Sequence, residues 1–302
     1  MTHRDAPPEI SVVVASFEMA RELPRTLLSL SPGYQRDCPS TEVIVVDNGS
    51  SDPPAREQFD ALGLDLRIEH LAGASRSPVA AINRGLALAS GPLVGVWVDG
   101  ARLASPGLLS AARRAAAFHP QAVVVTLNYH LGATLQYEAR RTGYDQRVED
   151  DLLASIGWPS DGYRLLEIAS DDFRGDPRGP ILESNALFLS RRMWDELGGF
   201  DEAFASPGGG AVNPDTLVRA CALPGAQLIR IVGEGTFHQF HGGVSTGHNS
   251  AAAVLKAGSR EYFKLRGRRL EMIRDPGWIF DAATGNIEKV GAVHSVRGLR
   301  AR

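Results

Sequence analysis

The sequence has little cysteine, no long apolar run and no large excess of charge of either sign. Two cysteines in 302 residues, Cys38 and Cys221, exclude a disulfide framework and a cysteine-built zinc site. A reduced, cytoplasmic setting is therefore the expectation. Residues 86–98 carry no charge but are too few to span a bilayer. Residues 115–137 are interrupted by His119, Pro120, Gln121, Asn128 and His130, so no transmembrane segment is expected. Residues 1–9 are polar and proline-bearing, without the apolar centre of a leader. A net charge of −3 excludes wrapping of nucleic acid by bulk electrostatics. There is no internal repeat and no low-complexity tract. What remains is an ordinary globular composition, 43% hydrophobic and 22% charged, in a chain long enough to bury a large core.

The patterning alternates strand and helix. Residues 10–15 (Ile-Ser-Val-Val-Val-Ala) read as a buried strand, and Ser16-Phe17-Glu18 as the opening of a helix that carries Leu23, Leu27, Leu28 and Leu30. Residues 42–46 form a second strand ending in Asp47, followed by the turn chemistry of Asn48-Gly49-Ser50-Ser51-Asp52-Pro53. A weaker strand over 65–71 precedes a helix over 77–89, stopped by Ser90-Gly91-Pro92. The run Leu93-Val-Gly-Val-Trp-Val98 then ends abruptly in Asp99-Gly100, either a common strand-end turn or a carboxylate delivered into a cleft. Ser105-Pro106-Gly107 opens an alanine-rich helix, and 122–127 is the next strand. This order predicts a parallel, doubly wound α/β sheet.

The pattern changes near Asn128. Up to Asp176 the chain is polar and irregular, with a helix over 145–156 and five aromatic residues, Tyr129, Tyr137, Tyr144, Trp158 and Tyr163. These could form a platform for a sugar ring or pack a long excursion. A strand over 181–189 leads to a short helix stopped by Gly198-Gly199. After Ser206-Pro207-Gly208-Gly209-Gly210 a helix begins near Asn213-Pro214-Asp215, and residues 228–232 form another strand. A helical stretch follows Ser250, and five basic residues occupy 260–269. They read as a solvated face, or as a surface for a lipid phosphate or an acidic membrane. The tail from Asp275 has little pattern.

Four motifs stand together in order: Ser11-Val-Val-Val-Ala-Ser-Phe17, Glu42-Val-Ile-Val-Val-Asp47-Asn-Gly-Ser-Ser-Asp52, Trp97-Val-Asp99-Gly-Ala, and Asn185-Ala-Leu-Phe-Leu-Ser-Arg191 through Leu197-Gly-Gly-Phe-Asp-Glu202. In this combination the chain resembles the family-2 glycosyltransferases over roughly residues 10–241. The resemblance implies a GT-A fold: a Rossmann-like, doubly wound, mostly parallel sheet with helices on both faces. It implies a glycosyltransferase domain over 1–249, with a nucleotide-binding half at about 10–127 and an acceptor-side half at about 128–249. Residues 250–302 are then a C-terminal helical extension and tail. The implied reaction moves a sugar from a nucleotide-diphosphate donor to an acceptor hydroxyl with inversion, the acceptor being a carbohydrate, a lipid-linked group or a small molecule. By position, Ala15, Ser16 and Phe17 match the strand end that holds base and ribose, and Asp47 the carboxylate that bonds the base. Arg76 and Asn83 match the lining of the donor cleft. Asp99 matches the first carboxylate of the family's Asp-x-Asp motif.

The chain departs from that pattern twice. Ala101 stands where the second motif aspartate belongs and cannot bind a metal. Val212-Asn213 stands where a Glu-Asp pair usually precedes the last helix, and an amide cannot serve as a base. In one reading Asp215 is the base, with Glu183 a second candidate, and Mn²⁺ or Mg²⁺ is held by Asp99 with His238 or His241. In another, the donor binds without metal and Arg76 or His241 neutralises the diphosphate. A degenerate member that binds without turnover is a third. Asp215 also suits a helix cap. A nucleotidyltransferase would need a glycine-rich phosphate loop near the amino terminus, which the sequence lacks. The expected localisation is cytoplasmic, with peripheral contact with a membrane the alternative that the basic segment leaves open.

Overall fold

The computed structural model describes residues 6–73, 75–134, 143–171, 176–241 and 251–290, with side chains left out for 251–255; Tyr137 lies outside the described residues. The chain folds around one mixed sheet. Its strands are β1 (Ile10–Ser16), β2 (Thr41–Asp47), β3 (Asp65–His70), β4 (Leu93–Trp97), β5 (Arg102–Ala104), β6 (Ala122–Leu131), β7 (Ala169–Asp171), β8 (Ala186–Ser190), β9 (Gln227–His238), β10 (Trp278–Asp281) and β11 (Ile287–Lys289). The main path runs β11-β10-β9-β6-β8-β4-β1-β2-β3, with β5 paired to β9 and β7 to β6. Along that path β8 and β11 run against the other strands. The helices are α1 (Leu23–Leu30), α2 (Val79–Leu88), α3 (Leu108–Ala116), α4 (Gln146–Ser155), α5 (Arg191–Leu197), α6 (Val212–Cys221) and α7 (Ala251–Arg266).

The central strands are apolar on both faces because helices cover both. Every residue of β1 and β4 is buried. Val12, Val14, Trp97 and Phe188 face α1 and α3 in one core layer. Their alternates Val13, Ala15, Val96 and Leu187 face Ile82 of α2, Trp194 of α5 and Leu217 of α6 in the other. Gly95 is required where β4 passes beneath the Phe188 ring: a Cβ there would lie 2.5 Å from Phe188 Cε1. A third cluster, Leu103, Leu131, Leu153, Ile156, Leu165 and Phe237, anchors α4 and the irregular segment to the ends of β6 and β9.

The doubly wound α/β architecture is as expected, with three local corrections. The helix anticipated at Ser16-Phe17-Glu18 begins only at Leu23. Glu18 has φ 52°, and its carboxylate accepts hydrogen bonds from the Ser51 N–H and hydroxyl instead. The strand expected over 181–189 is shorter and antiparallel to both neighbours; a fully buried run carries no mark of direction. The strand expected over 228–232 continues to His238, its pairing with β6 shifting register between Val125 and Leu127. Beyond Asp275, β10 and β11 extend the sheet edge.

Candidate active site

The carboxyl ends of β4, β1 and β2 lie side by side, because these strands are parallel neighbours in that order. Asp99, Ser16 and Asp47 therefore form a row along one edge of the sheet, the place where open α/β sheets bind ligands. Two strand spacings, roughly 10 Å, separate its ends.

At the β2 end, Asp47 is buried and already engaged. Its Oδ1 accepts from the Ser50 hydroxyl at 2.6 Å, and its Oδ2 from the N–H groups of Gly49 and Ser50 at 3.2 and 3.1 Å. Asp47 thus shapes the 48–50 turn as well as closing the row. Asn48 ties this turn to the carbonyls of Ser75 and Ser77. Ser16 opens onto a cavity of about 460 Å³ between α1 and the 3₁₀ turn Arg56–Leu62, lined by Met19, Leu23, Pro24, Pro53, Phe59 and Leu62 with Ser50 and Asp52. Phe17 is half exposed beside it, whereas Ala15 faces the core.

At the β4 end, Asp99 Oδ1 accepts from the Ala101 N–H at 3.0 Å. Its Oδ2 is paired with Arg102, Nε at 3.1 Å and Nη2 at 3.0 Å. Sheet register assembles the rest: Arg102 of β5 and His130 of β6 both lie opposite His238 of β9. His238 Nε2 is 3.9 Å from Asp99 Oδ2 and 3.1 Å from His241 Nε2. One ligand atom from each of Asp99, His238 and His241 falls within 4.8 Å of the others. Burial, with Arg102 adding to it, holds His238 and His130 below the ordinary imidazole range, His130 down to about 4. Burial also lowers His241, against the opposing pull of Asp99. These imidazoles are therefore neutral near pH 7, the state that binds metal.

The three residues fit a small divalent cation. Ligands about 2.1 Å from one ion stand roughly 3 to 3.5 Å apart; the two histidines meet this at 3.1 Å, and Asp99, 3.9 Å from His238, closes on the ion by a small side-chain movement. Ala101 is buried in the core, so the missing carboxylate has no counterpart at that position, and the second and third candidate donors stand on β9 and the residues just after it. The Arg102 Nη1 group is buried without a hydrogen-bond partner among the described residues, which marks the cluster as also suited to an anionic group.

Because β8 is antiparallel, its start lies beside the end of β4: Ala186 pairs with Trp97, and the Asn185 carbonyl accepts from the Val98 N–H. This brings Glu183 to the Asp99 end of the sheet. Its Oε2 accepts from Asn213 Nδ2 at 3.0 Å. Burial raises its pKa, with Arg102 opposing and Asp99 reinforcing that rise.

Asp215 is placed differently. It is 1% exposed, with Oδ1 accepting from Arg266 Nε at 2.6 Å and Oδ2 from Arg219 Nε and Arg266 Nη2, each at 2.8 Å. Arg219 also donates to the carbonyls of Leu197 and Gly199, so Asp215 joins α6, α7 and the turn after α5. The Asn83 amide exchanges two hydrogen bonds with the backbone of Phe200, in the turn after α5. Arg76 is exposed, with its carbonyl accepting from Gly208.

Sequence reading missed Arg102 and His130, whose role depends on strand register. It also missed the cluster of half-buried Arg21 with buried Glu22 and Glu149 next to His241. Arg21 donates to both carboxylates and to the Phe240 carbonyl, and Glu149 Oε2 accepts from the Phe240 N–H at 2.5 Å.

Residues 11–171, more than half of the chain, match glycosyl transferase family 2. The chain belongs to that family. Solved structures with the same fold include S. aureus TarS 1-349 in complex with UDP-GlcNAc, at TM-score 0.56 and 16% identity, covering 84% of this glycosyltransferase and 66% of that chain. Another is the mannosyltransferase PcManGT from Pyrobaculum calidifontis in complex with GDP-Man and Mn²⁺, at TM-score 0.54 and 18% identity, covering 89% and 67%. This glycosyltransferase spans 40% of the longer TarS chain. No curated protein sequence matches it.

Proposed function

We propose that this family-2 glycosyltransferase transfers a sugar, with inversion, from a nucleoside diphosphate to an acceptor hydroxyl, and that Glu183 is the base. The observation that carries the assignment is the Glu183–Asn213 pair at the Asp99 end of the sheet. Asn213 occupies the position where the family carries a carboxylate, and its amide holds the carboxylate of Glu183. A base is most effective when its pKa lies near the working pH, and burial moves Glu183 in that direction.

In this reading the nucleoside lies across Ser16 and Asp47, with the diphosphate toward Asp99, Arg102, His238 and His241. Asp99, His238 and His241 would hold Mn²⁺ or Mg²⁺, which, when bound, neutralises the leaving diphosphate. Glu183 takes the proton of the acceptor hydroxyl as its oxygen bonds to the anomeric carbon. The bond from that carbon to the diphosphate oxygen breaks on the opposite face. The nucleoside diphosphate departs, and the configuration inverts. Arg102 supplies fixed positive charge beside Asp99, and this favours a second reading in which the donor binds without metal.

A thermal-shift series with UDP and GDP, each with Mn²⁺ and with EDTA, separates these readings. Ligand at a hundred times its Kd stabilises the native state by about 2.7 kcal/mol. A shift with one nucleotide that needs Mn²⁺ supports the metal site, and an equal shift in EDTA supports Arg102 alone. No shift with any nucleoside diphosphate would overturn the proposed donor. The structures bound to UDP-GlcNAc and GDP-Man make those two donors the first to try with acceptors.

A further inference from the structure

We infer that the outer face of α7 and the segment after it form a docking surface for an anionic lipid bilayer. This face lies outside the residues matched by the family, and it is independent of the chemistry proposed above. The inner side of α7 is fixed to the body. Tyr262 is buried, Glu261 Oε1 accepts from the N–H groups of Ala205 and Ser206, and Arg266 is clasped by Asp215 and Asp201. With that side anchored, the helical period turns Lys256, Arg260, Phe263 and Lys264 outward together, and all four are exposed.

The pattern continues through exposed Arg268, Arg269, Met272 and Arg274, with Glu271 the exposed carboxylate of the stretch. None of these six cations makes an ion pair among the described residues. In a chain of net charge −3, six exposed cations thus fall within residues 256–274, three of them on the outer side of α7. Phe263, at 56%, is the most exposed large hydrophobic side chain among the described residues, and Met272 stands at 48%.

Cations alone would suit any polyanion. Interspersed Phe and Met side chains add an apolar payload that a dissolved polyanion does not use and that the boundary between headgroups and acyl chains does. No described helix is long and apolar enough to cross a membrane, so the contact is interfacial. The anchored side holds the 205–210 loop that leads into α6 and Asn213, which places the docking face on the segment feeding the Glu183 end of the cleft.

The test is flotation of the full chain with vesicles of phosphatidylcholine, with and without 30% phosphatidylglycerol. Binding is expected only with phosphatidylglycerol and should fall steeply with added salt. Arg260→Glu with Lys264→Glu should weaken it by well over tenfold, at about fivefold per basic charge lost. Phe263→Ser should weaken vesicle binding several-fold while leaving retention on heparin unchanged. All these sites are exposed, so an unchanged Tm shows that folding is intact. Failure to bind phosphatidylglycerol vesicles overturns the inference. It is overturned equally if Phe263→Ser binds vesicles as wild type does, since the face would then be a site for soluble polyanions.

Discussion

Replacing Asp215 by asparagine distinguishes a structural clasp from a catalytic base. In the structure both oxygens of Asp215 are taken up by Arg219 and Arg266, which reach it from α6 and α7. The carboxylate is 1% exposed, while the two guanidinium side chains are 26% and 23% exposed. Removing one member of a fully buried pair costs about 3 to 5 kcal/mol. Here water reaches both cations and Arg266 keeps Asp201, so the expected loss is about 2 kcal/mol. For a chain of this size that corresponds to a fall in Tm of roughly 3 °C. Urea denaturation gives the free energy, and initial rates below the new transition give the activity of the folded protein. The expected result is a destabilised enzyme whose kcat stays within about threefold of wild type. An unchanged Tm with turnover reduced by two or more orders of magnitude would refute the clasp and return the base role to Asp215.

Three further outcomes follow from the same geometry. His238→Ala should abolish Mn²⁺ binding measured by calorimetry without nucleotide, because it removes the donor between Asp99 and His241; wild-type affinity in that variant would remove the metal site. Glu149, buried beside Arg21 and Phe240, has its pKa pushed up to about 7 by burial. A carboxyl whose folded pKa lies above its unfolded value contributes stability that is fully present below about pH 4.5 and is lost as pH rises to about 7. The change is of the order of 3 kcal/mol, so Glu149→Gln should flatten the pH dependence of urea stability in that window, and an unaltered slope would refute the assignment. Gly95→Ala forces a Cβ against Phe188 and should cost about 1 to 3 kcal/mol by overpacking, measured in the same urea experiment.

The architecture was legible because the β1 and β4 runs are uncharged and mostly apolar and end in polar turns, the signature of parallel strands covered on both faces. Asp99 stood out for the same reason, as a carboxylate at the end of an uncharged run. Glu183 was visible only as one of two candidates, since a buried strand such as β8 does not reveal its direction, and direction decides which end of the sheet Glu183 meets. Asp215 has a sequence neighbourhood suited to a base, yet its partners Arg219 and Arg266 lie 4 and 51 positions away; a charge clasp of that span leaves no local pattern. Arg102 and His130 entered the site through cross-strand register with His238, which for His130 depends on an irregularity in the β6–β9 pairing. Asp99 with His238 or His241 could be named from the sequence, but that both histidines lie beside Asp99, with Arg102 paired to it, required the fold.

The most direct test of the central claim compares wild type with Glu183→Gln, using UDP-GlcNAc and GDP-mannose as donors and water as acceptor. Release of UDP or GDP is followed in parallel with donor affinity by calorimetry. Glutamine keeps the size and the contact with Asn213 but cannot take a proton. Loss of a general base costs about a hundredfold or more in rate, so the variant should bind donor as wild type does and release nucleotide at least about a hundred times more slowly. Equal release by the two proteins would contradict the account, because the acceptor proton would then have another destination.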